Sequence, residues 1–184
     1  MAEWALGISI LASALSVMAL PAALQMFCGK PDIQIHYGVI PVEDQLHLVC
    51  TLHNPPIKNK FLKALGIRRK TAESVSAKYT IYDERGNIIA EDVIAAIRHI
   101  FGGSFEGEVN RTLNVSIPAS ETYTDFALAY CAGLTVGLIG DEFHPSTVLP
   151  IGKYTAAIKI KLAEKEIEET RHFVVEEEGF GWRE

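Results

Sequence analysis

The stretch from Gly152 to Val175 decides the fold class and reads GKYTAAIKIKLAEKEIEETRHFVV. Apolar and polar residues alternate over Tyr154–Leu162 and again over Ile167–Val175. A period of two residues is typical of a half-buried β-strand, because successive side chains of a strand point to opposite faces. The residues between the two runs, Ala163–Glu166, are mostly charged, which suits a solvent-exposed turn. The stretch therefore predicts two antiparallel strands joined by a short turn.

Further runs of the same kind extend this pattern through the chain. Alternating or short apolar runs occur at Ile33–Tyr37, Leu46–Leu52, Val75–Ile81, Val109–Ile117, Phe126–Tyr130 and Leu134–Ile139. Together they predict an all-β domain, an antiparallel sandwich of about seven to nine strands. The stretch Asp92–Phe101 fits one face of a helix as well as an irregular strand, and both interpretations stay open.

The residues Gly152-Lys153-Tyr154-Thr155-Ala156 resemble the G-x-Y-x-C stretch that opens strand F of immunoglobulin-like sandwiches. The resemblance implies an immunoglobulin-like or fibronectin-III-like fold, in which the Tyr154 hydroxyl binds backbone at a sheet corner. Ala156 stands where antibody domains have their second cysteine, and no tryptophan lies between residues 4 and 182. Cys50 therefore lacks its usual disulfide partner, and we expect Cys50 and Cys131 to be buried free thiols. The fold by itself carries no function.

Composition places the chain among ordinary globular proteins. It has 184 residues, of which 48% are hydrophobic and 22% are charged. The net charge of −6 argues against a general nucleic-acid binder, because phosphate affinity needs clustered lysine and arginine. We expect three parts: an N-terminal anchor over residues 1–30, a β-sandwich domain over 31–176 and a flexible acidic tail over 177–184.

The N-terminal part is predicted to cross a membrane. The 24 residues from Trp4 to Phe27 carry no formal charge and lie between Glu3 and Lys30. As a helix they would span ~36 Å, enough for a hydrocarbon core of ~30 Å. A cleaved signal peptide and a buried helix of the domain are the alternatives. The Lys and Arg residues that follow the span favour a cytosolic domain on a single-pass membrane protein, and an extracytoplasmic domain stays open.

No pattern in the sequence predicts catalysis. His47, Cys50 and His53 have the spacing of metal ligands, but on a strand Cys50 faces away from the two histidines. The loop residues Asp141, Glu142 and His144 could bind a cation through oxygen atoms, but one short acidic loop is common by chance. Ser104 lacks the second glycine of a nucleophile elbow. We therefore predict that the protein is not an enzyme and that it has no catalytic residue, cofactor or metal site.

A basic segment stands out in this acidic protein. Residues Lys58 to Lys70 include six cations and no acid. If Asn59–Leu65 forms a short helix that ends at Gly66, its apolar residues share one face. One interpretation is contact with an anionic membrane surface, and the other is a solvated strand connection that covers one end of the sandwich. The candidate contact residues are Lys58, Lys60, Phe61, Leu62, Lys63, Leu65, Arg68, Arg69 and Lys70.

These observations favour a binding or scaffolding module that is attached to a membrane through residues 4–27 and contacts a protein partner through loops or sheet edges. A structural subunit of a membrane complex is the first alternative, and it predicts a contiguous exposed apolar patch. An enzyme with an unrecognised site is the second, and it predicts a pocket with convergent polar groups. No nucleic-acid partner is expected.

Overall fold

The computed structural model of the chain describes residues 13, 16, 18–42, 44–99, 114–133, 135–139, 147–177 and 179–183. Two helices lie in this part: α1, of which residues 13, 16 and 18–28 are described, and α2 (Lys60–Ala64). The strands are β1 (Gln34–Val42), β2 (Gln45–His53), β3 (Ala72–Asp83), β4 (Ile88–Ile94), β5 (Ala96–His99), β6 (Val115–Ile117), β7 (Tyr123–Ala132), β8 (Thr135–Leu138), β9 (Gly152–Lys161), β10 (Glu166–Glu176) and β11 (Gly179–Arg183).

The strands form two antiparallel sheets. The first has the order β1-β2-β7-β5, with β8 also paired to β7, and the second has the order β11-β10-β9-β3-β4, with β6 also paired to β3. Fully buried side chains from both sheets share one core, for example Cys50 and Phe126 from the first sheet and Tyr79 and Ile158 from the second. The expectation of an all-β fold built from two antiparallel sheets is confirmed.

The predicted hairpin and sheet corner are both present at the second sheet. β9 and β10 pair from Gly152 opposite Val175 to Lys161 opposite Glu166. The Tyr154 hydroxyl donates a hydrogen bond of 2.8 Å to the Pro150 carbonyl, four residues upstream. This is the contact that the resemblance implied for Tyr154, whereas the immunoglobulin-like classification itself stays a prediction.

The prediction of a transmembrane helix over residues 4–27 is corrected by the structure. In the described part of the chain, no helix is both long and apolar enough to cross a membrane. Residues 4–12, 14, 15 and 17 of the predicted span lie outside the described residues. Counting uncharged residues gave no weight to Gln25, whose side chain binds the folded domain.

Three smaller expectations also change. The acidic tail predicted over 177–184 contains β11, because Phe180 and Trp182 pack against the core while β11 pairs with β10. The open choice at Asp92–Phe101 resolves to strands through His99, with an interruption at Ala95. Asp92, with a φ of 51°, lies within β4 where its register against β3 shifts. The described residues contain eleven strands rather than seven to nine, because short strands complete both sheets.

All three cysteines are free thiols in the structure, as expected. Cys50 lies in the core with no exposed surface, and Cys131 is 5% exposed. Burial raises the pKa of the Cys50 thiol to about 12. Cys50 is therefore a neutral packing group at physiological pH.

Candidate functional site

The basic segment forms a short capped helix at one end of the sandwich. The Asn59 side chain accepts hydrogen bonds from the backbone N–H groups of Phe61 (2.9 Å) and Leu62 (3.3 Å), which begins α2 at Lys60. The helix ends at Ala64 with Leu65 as its C-cap, and Gly66 follows with a φ of 73°. The N–H groups of Gly66 and of the next residue close the last turn with bonds of 3.0 Å each. The structure therefore has the short helix that the sequence suggested, within a residue at each end.

Side chains of this segment point mostly into solvent. Phe61 is 64% exposed, an unusual exposure for an aromatic residue, whereas Leu62 and Leu65 are half-buried. Ile67 is buried and fixes the segment to the domain. The cations Lys58, Lys60, Lys63, Arg68 and Lys70 are all exposed.

Helix α1 reaches the same end of the sandwich and is fixed there by Gln25. The Gln25 side-chain amide donates to the Arg68 carbonyl at 2.7 Å and accepts from the Arg68 N–H at 3.0 Å. After α1, the Gly29 carbonyl accepts a hydrogen bond of 2.7 Å from the Lys70 N–H. A Cβ atom on Gly29 would lie 2.9 Å from the Arg68 carbonyl oxygen, so the close approach of the two segments requires glycine.

The attachment of α1 brings exposed apolar side chains beside the basic segment. In its last turn Met26 is 69% exposed and Phe27 is 78% exposed. We call the resulting region the basic–apolar surface, and it consists of Met26, Phe27, Lys58, Lys60, Phe61, Lys63, Arg68 and Lys70.

The backbone under the basic–apolar surface is held by a buried amide. Asn54 has no exposed surface, and its side chain donates to the carbonyls of Lys70 (2.9 Å) and Ile117 (3.2 Å). The same side chain accepts from the Asp32 N–H at 3.2 Å. One side chain thus joins three backbone segments that meet at this end of the sandwich.

Arg69 differs from the other cations of the segment because its side chain binds other parts of the domain. Its side chain is only 17% exposed and forms an ion pair of 3.3 Å with Asp32. It also donates to the Lys30 carbonyl at 3.4 Å. Arg69 therefore neutralises Asp32 and is only partly exposed, unlike the cations of the basic–apolar surface.

A groove of about 870 Å³ runs beside the basic–apolar surface. Lys30, Arg69 and Lys70 lie on one side, and the β9–β10 turn with Glu164 and Lys165 lies on the other. Its lining thus mixes cations, carboxylates and apolar side chains. No group of three or more potential metal ligands occurs among the residues that the structure describes.

The structure separates the other candidates of the sequence. His47 and His53 are buried in β2, whereas Cys50 points into the core. The His53 ring lies 2.9 Å from the Ser120 carbonyl through Nε2 and stacks on Tyr123 at a centroid distance of 4.4 Å. Ser104 and the loop of Asp141, Glu142 and His144 lie outside the described residues.

Two structural features of the site were not anticipated from the sequence. Gln25 was counted as part of an apolar run, although a single amide in such a run is a signal of a specific contact. Asn54 precedes two prolines and has no local sequence signal of its contacts. Its role depends on segments 22 and 63 residues away along the chain, which no local pattern reveals.

Comparison of the chain with models of known protein families and with curated proteins finds no match.

Proposed function

We propose that the protein is a binding module that docks on an anionic membrane surface through the basic–apolar surface. The observation that carries the proposal is the combination of exposed apolar side chains with five exposed cations at one end of the sandwich. Interfacial binding requires both features, because apolar groups enter the headgroup boundary while cations attract anionic lipid.

The expected binding free energies suit reversible docking on a membrane. Each cation close to an anionic leaflet contributes about 1 kcal/mol. Full burial of a Phe or Met side chain contributes roughly 1.5–3 kcal/mol, and insertion at the interface gives part of that. After the cost of association, a dissociation constant on the order of micromolar lipid is reasonable. Such docking needs no helix that spans the bilayer.

The capped helix and the amide contacts support docking because they fix the surface before it binds. Asn59, Gln25 and Asn54 each satisfy backbone groups that would otherwise be free to move. A surface that is already ordered loses little conformational entropy on binding. Docking through this end leaves the sheet edges available for a protein partner, in keeping with a scaffolding role.

The proposal is tested by charge reversal on the basic–apolar surface. The variant Lys60→Glu/Lys63→Glu should lose most of its co-sedimentation with vesicles that contain about 30% phosphatidylserine, because repulsion replaces attraction. The matched control is Lys78→Glu/Lys153→Glu, which makes the same change of charge at exposed residues of β3 and β9. Equal loss in both double variants would mean that only net charge matters and would contradict the proposal.

A second variant separates the apolar contribution. Phe61→Ser keeps every charge and removes an exposed aromatic ring, so we expect weaker binding with an unchanged dependence on salt. Unchanged binding of Phe61→Ser would show that Phe61 does not enter the interface.

A further inference from the structure

Strand β1 is an unprotected sheet edge. It pairs with β2 over all nine of its residues without a register shift, and no other strand of the described chain pairs with it. Its sequence, QIHYGVIPV, contains no Asp, Glu, Lys or Arg. A long, regular and uncharged edge strand exposes unpaired backbone groups that another strand can bind.

The other edges of the two sheets carry the usual protection. β4 pairs with β3 through two register shifts and contains Glu91 and Asp92. The part of β10 that β11 leaves uncovered, Glu166–Arg171, contains four charged residues. β11 has five residues, and β5, β6 and β8 have four or fewer. Charge, bulges and short length all discourage strand addition, and β1 has none of them. Its one protective residue is Pro41, the second-last residue of the strand.

A contact of Trp182 reveals which backbone groups of β1 face outward. The indole Nε1 lies 3.1 Å from the Gly38 carbonyl oxygen and 3.3 Å from that of Val49, its partner in β2. Both oxygens therefore point between the two strands, which makes Gly38 and Val49 a hydrogen-bonded pair. By alternation, the N–H and C=O groups of Ile35, Tyr37 and Val39 point to the open side. Pro41 also falls on that side, where its missing N–H is tolerated.

We propose that β1 pairs with β1 of a second copy of this chain, antiparallel and about a two-fold axis. In the register that places Tyr37 opposite Tyr37, Ile35 lies opposite Val39. Three outward N–H donors from each copy then give six hydrogen bonds across the interface. Val39, which is 36% exposed although it pairs with buried Leu48, becomes covered by the added strand.

The absence of charged residues in β1 favours a second copy of this chain as the partner that pairs with it. A two-fold axis at Tyr37 brings the residues near the axis close to their own counterparts, so a charged residue there would meet a like charge. In this register the facing residues of the two β1 strands are all uncharged. Glu169 and Arg171 of β10 contact Tyr37 near the axis, but they form an ion pair of 3.1 Å with each other. Because the strands are antiparallel, the basic–apolar surfaces of the two copies point in opposite directions. If the proposed docking also holds, the dimer brings two vesicles together.

The experiment is sedimentation velocity of the full chain over a wide range of concentration, with two variants of the edge. We expect a dimer for the native chain and a monomer for Val39→Lys, because the lysine places like charges at the interface. Val39→Pro removes an outward N–H donor but not a bond to β2, and it should also weaken the dimer about tenfold or more. The matched control Ile88→Lys, at a 52% exposed residue of edge strand β4, should stay dimeric.

Two outcomes overturn the proposal. The native chain is a monomer at all concentrations, or Val39→Lys and Val39→Pro fold normally by circular dichroism and still dimerise. Phe61→Ser distinguishes failure of the dimer proposal from failure of the docking proposal. The variant should remain a dimer whether or not the basic–apolar surface binds lipid. If Phe61→Ser is a monomer while Val39→Lys and Val39→Pro remain dimers, association occurs through the basic–apolar surface and not through β1.

Discussion

The side-chain amide of Gln25 binds both backbone polar groups of Arg68, donating at 2.7 Å and accepting at 3.0 Å. The two residues are 43 positions apart, and their contact joins the end of α1 to the basic segment. Together with the 2.7 Å bond from the Lys70 N–H to the Gly29 carbonyl, it holds Met26 and Phe27 in position relative to the cations. The contact therefore defines the geometry of the basic–apolar surface.

We expect Gln25→Ala to release α1 without unfolding the domain. Both bonds are exposed to solvent, so water replaces them and global stability should fall by no more than about 1 kcal/mol. Hydrogen exchange should accelerate at Arg68 and Lys70, whereas Gln34→Ala on the exposed side of β1 should leave both amides unchanged. Unchanged exchange in Gln25→Ala would mean that the amide does not hold α1 in place.

Asn54→Ala should destabilise the whole domain. The variant leaves the Lys70 and Ile117 carbonyls and the Asp32 N–H without their partner at a buried site. Loss of one partner from a buried polar group costs about 1–3 kcal/mol, and here three groups are affected. Urea denaturation measures the change, which we expect to be several times that of Asn87→Ala, an exposed control that also loses hydrogen bonds. Similar losses in the two variants would contradict the role of Asn54.

We expect the free energy of unfolding to depend on pH through Asp125, which is 1% exposed. Its Oδ1 accepts a hydrogen bond from the Thr51 hydroxyl, while Oδ2 is buried without a partner. Burial raises the pKa of Asp125 above its usual value, and the Thr51 bond opposes this only in part. The folded state therefore favours the protonated acid. The contribution of protonated Asp125 to the free energy of unfolding is complete at low pH and is lost as the pH rises through the raised pKa.

Asp125→Asn isolates that contribution, because the amide keeps an acceptor for Thr51 and cannot ionise. We expect the variant to gain stability over the native chain at neutral pH and to lose this advantage below the ordinary pKa of an aspartate. Thermal denaturation across acid and neutral pH measures the difference. A difference independent of pH would show that folding does not shift the pKa of Asp125.

The three thiols should react at very different rates. Cys28 is partly exposed, whereas Cys50 and Cys131 are buried. The raised pKa of Cys50, about 12, also keeps its reactive thiolate scarce. A thiol reagent should label one cysteine rapidly in the folded chain and three after unfolding without reductant. Fewer than three in the unfolded chain would reveal a disulfide.

The strands were predictable where burial alternates along the chain. β9 and β10 have an inward and an outward face, so the two-residue period of Tyr154–Leu162 appeared in the sequence. β11 was missed because the run of three glutamates before it suggested a solvated tail, and because Phe180 and Trp182 bury themselves only after β10 is in place. The span over residues 4–27 was misjudged because hydropathy cannot distinguish the lipid-facing side chains of a helix from those near a folded domain.

The candidate surface was predictable only in part. The cations and Phe61 follow from composition, and Asn59 and Gly66 are local signals for the start and end of α2. The contribution of Met26 and Phe27 depends on Gln25 and Arg68, a contact between distant segments. The open side of β1 likewise depends on sheet order, which the sequence of β1 does not encode.

The most direct test of membrane docking compares lipids of different charge. The full chain is sedimented with neutral phosphatidylcholine vesicles and with vesicles that contain about 30% phosphatidylserine, at low and at physiological salt. The account predicts strong binding to the anionic vesicles at low salt, weaker binding at physiological salt and little binding to the neutral vesicles. Equal binding to both lipids, or no binding to anionic vesicles at low salt, would contradict it.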